Sequence, residues 1–77
     1  MVSKKEILKA VKNCKTKEEK IYKGLTFLAS CYCIRTYDGM YDLFANVWHI
    51  RPKSPCSVDV QKTFFEYFLR SKQIEVE

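Results

Sequence analysis

Residues 57–77 read SVDVQKTFFEYFLRSKQIEVE, and this stretch decides the architecture. Val60, Phe64, Tyr67 and Phe68 fall on one broad apolar arc of a helix, which Phe65 and Leu69 extend. Lys62, Thr63, Glu66 and Arg70 fill the narrow strip that remains. Pro is tolerated at a first helical position and Ser is a good cap, so the helix starts near Pro55 or Ser57. At its far end the pattern changes to alternation, Ile74-Glu75-Val76-Glu77, which predicts a short strand.

Moving upstream, Arg51-Pro52-Lys53-Ser54-Pro55 is a clear loop. The segment before it has two readings. Met40, Leu43, Phe44, Val47 and Trp48 recur at helical spacing, with Asp38 as the cap. Against this, residues 31–37 are β-prone and Asp38-Gly39 is a hairpin pair that can join them to residues 40–48. Strict alternation fails at Leu43-Phe44, which favours the helix; a short strand at 34–37 ahead of it is a compromise. Nearer the N-terminus, Ser3 with Glu6 and Thr16 with Glu19 each form a capping-box pattern. The first opens a helix from Lys4 to about Asn13, with Ile7, Leu8, Ala10 and Val11 as its apolar face and Val2 and Ile7 at the staple positions. The second opens a helix whose stripe is Ile21, Leu25, Leu28 and Tyr32. Phe27 and Ile34 lie off that stripe, so this helix either buries two faces or stops before Ile34. The expected fold is mainly α: a compact, four-helix single domain over residues 1–77 with at most a short β-element.

At 77 residues the chain is near the size at which one core becomes marginal, yet 47% of it is apolar and 14% aromatic. That composition argues against disorder. No apolar run approaches the ~20 residues of a membrane span; the longest, around Leu25–Ile34, is broken by Thr26 and Ser30. MVSKKEILKAV has no long apolar core of a secretory leader. A cytoplasmic protein with no membrane partner is expected.

The charge is uneven. Eight lysines and three glutamates lie in residues 1–26, so the whole formal +5 sits in the first third. Such a surface attracts phosphate backbones, DNA or RNA, in a salt-dependent way. Lys4, Lys5, Lys9 and Lys12 are its candidate contacts. The competing reading is a solvated helical face, favoured by the absence of arginine among the eight cations.

Four cysteines (14, 31, 33, 56) and His49 raise the question of zinc. Tetrahedral zinc takes four ligands, usually from closely spaced pairs. The one close pair, Cys31-x-Cys33, points to nearly opposite sides on a helix. Reduced cysteines, no metal and no cofactor are expected. His49, between Trp48 and Ile50, reads as a half-buried structural residue rather than a base for a cysteine nucleophile. No phosphate loop or carboxylate pair is present. An enzyme is not expected.

Residues 40–77 resemble the end of winged-helix and helix-turn-helix DNA-binding domains: a helix (MYDLFANVWHI), a turn, a second helix (SVDVQKTFFEYFLRSK) and a strand start (IEVE). The resemblance covers half the chain and rests on pattern rather than an invariant motif. It implies a small transcriptional-regulator-like protein, with Ser57, Asp59, Gln61 and Lys62 at the exposed start of the reading helix. Arg70 extends that cationic strip. Two departures stand out. The RPKSPC loop is longer than the usual turn, and a full two-stranded wing is not reached. Lys62, Glu66 and Arg70 at i, i+4 and i+8 also suit ordinary surface pairing.

The aromatics support a different function. Five Phe, five Tyr and one Trp fill a small core efficiently, but the wide arcs also predict an exposed apolar interface at Phe27, Ile34, Trp48 and Phe65. That implies a homodimer or a small phage- or viral-type inhibitor or adaptor that binds a protein partner.

Overall fold

The computed structural model describes residues 1–70, so the strand entry expected at 74–77 lies outside the described residues. Four α-helices follow in order: α1 Lys4–Ala10, α2 Lys17–Tyr32, α3 Tyr37–Leu43 and α4 Ser57–Phe64. α3 continues directly into a π-helical turn, Phe44–Trp48, and α4 into another, Phe65–Leu69. No strand occurs among the described residues. The fold is mainly α.

Local chemistry sets most of these boundaries. Ser3 Oγ accepts the Glu6 N–H at 3.2 Å while Glu6 Oε1 accepts the Ser3 N–H at 2.9 Å. Thr16 and Glu19 repeat the exchange at 3.1 and 3.4 Å, and Glu19 also accepts the Lys15 N–H. Each cap is worth about 1 kcal/mol. The middle segment is helical, not a hairpin, and no strand forms at 34–37. Its cap is Thr36 rather than Asp38: the Thr36 hydroxyl accepts the Gly39 N–H at 3.0 Å and places Asp38 in the first turn. Asp38-Gly39 is thereby absorbed into a helix start. α1 ends at Ala10, short of Asn13, in turns closed by Lys9 and Val11 carbonyls. At α4 the N-cap is Cys56, without a side-chain cap bond, and Ser57 is the first helical residue.

α2 stops at Tyr32 because Cys33 takes the left-handed conformation, with φ 57° and ψ 45°. The Ile34 N–H then reaches back to the Ala29 carbonyl at 2.9 Å, and Ile34 leaves the helix half-buried. His49 ends the π-turn after α3 in the same way, at φ 58°, with the Ile50 N–H on the Phe44 carbonyl at 3.2 Å. Both are closures that glycine normally serves. His49 is consequently exposed, not the half-buried structural residue expected from its apolar neighbours.

The core is a run of stacked and edge-on rings. Phe44, Phe64 and Phe68 are fully buried with Ile7, Leu28 and Val60. Phe44 stacks on Phe64 at 6.2 Å, and Phe68 lies 5.1 Å from Phe64 and 5.5 Å from Phe44. Trp48 meets Phe68 edge-on at 4.9 Å. α2 crosses this cluster at Gly24, which is buried. A Cβ there would stand 2.7 Å from Phe64 Cε2 and 3.5 Å from Val11 Cγ1. Tyr32 closes the other end by accepting the Val2 N–H on its hydroxyl at 3.0 Å.

Two stability effects follow. Gly24→Ala gains about 1 kcal/mol of helix propensity, but it overpacks against a ring that is 0% exposed, at a cost of about 1–3 kcal/mol. A net loss of up to about 2 kcal/mol is expected in urea denaturation; higher stability would mean that the Phe64 ring can swing away. Conversely, Cys33→Gly and His49→Gly remove a left-handed penalty of about 1–2 kcal/mol and add chain entropy worth about 0.5–1 kcal/mol. Each should stabilise by a few tenths to about 1 kcal/mol in the same assay.

Candidate partner-binding cleft

The stripe Ile21, Leu25, Leu28 and Tyr32 turns α2 toward the core, and its edge at Ile21 and Leu25, with the positions beside it, lines a surface cleft. Glu18, Ile21, Tyr22, Leu25, Thr26 and Ala29 follow the spacing i, i+3, i+4, i+7, i+8 and i+11 along one face of α2. The facing wall is the short connection after α2 and the start of α3: Ile34, Arg35, Thr36, Tyr37 and Met40. Gln61 of α4 closes one end, its Nε2 donating to the Tyr37 hydroxyl at 2.9 Å. The cleft holds about 300 Å³, at the small end of ligand-sized sites.

Its chemistry is layered. Leu25 and Met40 are buried beneath it, and Ile21, Ala29 and Ile34 are half-buried around them. The rim carries two rings that the core does not use, Tyr22 at 73% exposure and Tyr37 at 39%. Val58, 70% exposed, precedes Gln61 by three residues and so lies toward the same side of α4. Glu18, Ile21 and Gln61 also line a second depression, which runs on to Lys17, Lys62, Phe65, Glu66 and Arg70. Lys17 holds its ammonium 4.7 Å over the Phe65 ring there.

The structure redistributes the residues expected to form an interface. Phe27, Trp48 and Phe65 are half-buried and packed against the core, Trp48 through Phe68, Phe44 and Tyr32. Of the four, Ile34 lines the cleft and Phe65 the second depression. Tyr22 and Tyr37 were not anticipated. Tyr22 was findable in principle: it is an aromatic one position off the core stripe of a lysine-rich helix. Tyr37 was hidden by the hairpin alternative.

The expected nucleic-acid contacts are divided between two places. Lys5 and Lys9 on α1 and Lys12 just beyond it are exposed. Lys4 is half-buried, its ammonium 4.2 Å over the Tyr67 ring. At α4, Ser57 is half-buried, Gln61 is bonded to Tyr37, and Lys62 and Arg70 are exposed at the second depression.

The four cysteines are unpaired, with Cys14 half-buried and the others exposed. Among the described residues no group of three or more His, Cys, Asp or Glu comes together to hold a metal ion, and no helix is long and apolar enough to cross a membrane. The chain matches no protein-family model, no curated protein and no solved structure.

Where α4 begins, Ser54 Oγ donates to Asp59 Oδ2 at 2.7 Å and also accepts the Cys56 N–H at 3.3 Å. The Ser54 hydrogen bond holds the Asp59 carboxyl below its ordinary value; partial desolvation opposes this, and Cys56, Lys53 and Lys62 add to it. A lowered carboxylate stabilises the fold above the ordinary carboxylate range, and that contribution fades as pH falls through the lowered value. Ser54→Ala should therefore raise the Asp59 pKa toward 3.8, read by carboxyl-carbon NMR titration. It should also reduce the acid sensitivity of unfolding. An unmoved Asp59 titration would assign the shift to Cys56 and the lysines instead.

Proposed function

We propose that this protein is a small non-catalytic binding protein that docks a partner protein in the cleft between α2 and α3. The observation that carries this reading is the pairing of a preformed apolar floor with two exposed tyrosines on its rim. Tyrosines supply large contact area at low conformational-entropy cost and keep a hydroxyl for the wet edge of an interface. A domain this small gains nothing for its own core by leaving such rings outside, and apolar surface collected in one place is characteristic of interaction sites.

A second reading, a small nucleic-acid-binding regulator of helix-turn-helix type, draws support from the exposed row Lys5, Lys9 and Lys12. It draws less from α4, where Gln61 already donates to Tyr37. Base-edge readout by that side chain would require breaking a bond that helps wall the cleft.

Photo-crosslinking separates the two. A benzoyl-phenylalanine at position 22 is expected to capture one defined protein in cells of the native host, and one at position 9 is not. Adduct formation at 22 should disappear when Ile34→Asp is added to the same chain. In parallel, the wild-type protein and a Lys5, Lys9, Lys12→Gln variant are titrated with duplex and single-stranded oligonucleotides at low salt. A salt-sensitive shift lost in the variant, with no adduct at position 22, would overturn the protein-docking reading in favour of the second.

A further inference from the structure

The cleft and the second depression adjoin at Glu18, Ile21 and Gln61, which line both, and side by side they make a trough with those three residues at its middle. Its two ends differ. One is apolar, over Leu25 and Met40, with Arg35 at its edge. The other is dominated by Lys17, Lys62 and Arg70. Along the whole trough four cations stand against two carboxylates, Glu18 and Glu66.

Resting on the protein-docking reading above, we propose that the occupant is an acidic amphipathic helix of the partner, with its apolar anchors over Leu25 and Met40 and its carboxylates toward Lys17, Lys62 and Arg70. Charge selects the sign. The trough carries net positive charge within a chain of net charge +5, so an acidic segment is drawn in and a basic one repelled. Shape selects the secondary structure. The lining face of α2 runs from Glu18 to Ala29, eleven steps of helical rise or about 17 Å at 1.5 Å per residue. A partner helix of about three turns lies along it and presents anchors at i, i+3 or i+4, and i+7. Strand addition has no template, because the described residues contain no sheet edge.

The inference also explains the two lysine environments. Lys17 is held over Phe65, so its ammonium is positioned before binding and less side-chain entropy is lost on meeting a carboxylate. Lys5, Lys9 and Lys12 lie on α1 and just beyond it, outside the trough. Their charge acts at a distance, as steering.

The test uses the full chain and three fluorescein-labelled peptides of about twelve residues, a length fixed by the helical rise. One carries leucine anchors at helical spacing with Glu and Asp elsewhere. The second keeps the leucines and replaces the acids by lysine. The third keeps the acids and replaces the leucines by alanine. Fluorescence anisotropy should show the first binding at least about tenfold more tightly than either of the others. Lys62→Glu with Arg70→Glu should weaken the acidic peptide about tenfold or more and improve the lysine peptide. Both positions are exposed, so the fold survives the exchange, which circular dichroism checks. Equal binding of the acidic and basic leucine peptides, each lost in Tyr22→Ala, would overturn the charge assignment while leaving the docking cleft standing. Binding of the alanine peptide as tightly as the leucine one would overturn the anchor assignment. Loss of all three peptides, together with a position-22 adduct in cells, would overturn the helical occupant alone. Loss of all three with no adduct would remove the docking reading itself.

Discussion

The structure turns on one missing side chain. Gly24 lets α2 approach α4 closely enough for the Phe64 ring to lie on bare helix backbone. Phe64 in turn stacks on Phe44 and touches Phe68, so the position of α2 fixes the whole ring cluster. Few other contacts are available to a chain this short. Among the described residues, the largest fully buried side chains are Phe44, Phe64, Phe68, Ile7, Leu28 and Val60, and three of them are those phenylalanines. Close-packed cores respond to a single added methyl group, and here that group would act at the centre.

The cleft follows from the same placement by way of the α2–α3 connection. With one face of α2 committed to Phe64, its adjacent face is not covered by a helix of its own among the described residues. Residues 33–36 turn the chain back along that face within four positions. Cys33 in the left-handed conformation stops α2, Ile34 tucks in, and the Thr36 hydroxyl starts α3. Gly39 assists by the same device as Gly24: a Cβ would stand 3.0 Å from Ile34 Cγ2. Wall, floor and rim of the cleft are therefore set by two caps and two glycines rather than by bulky packing. Such a site is largely formed before anything binds, which lowers the ordering cost of association.

Much of the fold was legible in the sequence because capping chemistry and helical periodicity are local. The Ser3-Glu6 and Thr16-Glu19 boxes and the Val60–Phe68 arc each specify themselves within a few residues. Legibility failed where the signal was a residue doing another residue's work. Left-handed closures at Cys33 and His49 carry no glycine to announce them, and Thr36 was masked by the stronger turn signature of Asp38-Gly39. The exposed rings were less legible still. Wide apolar arcs at Phe27 and Phe65 looked like surplus hydrophobicity, but both rings are half-buried against the core. Real surplus lay at Tyr22 and Tyr37, single residues with no pattern of their own. Periodicity ranks faces of a helix; it does not tell which face the rest of the chain will leave uncovered.

Lysines and rings finally have to be considered together. Two lysines, Lys4 and Lys17, are held over aromatic faces of the π-turn after α4, Tyr67 and Phe65, at about 0.5–1 kcal/mol each for partly exposed pairs. These contacts tie α1 and the start of α2 to the end of the chain's last described helix. The lysine-rich first third is thus in part a structural element, not simply a counter-charge for phosphate. Lys20 and Lys23 neighbour Tyr22 in sequence only; on the helix Tyr22 shares its face with Glu18, Leu25 and Thr26, so the cations that bear on the trough are Lys17, Arg35, Lys62 and Arg70. Under the proposed docking reading, four cations against two carboxylates along the trough favour an anionic partner over a second copy of this net-cationic chain.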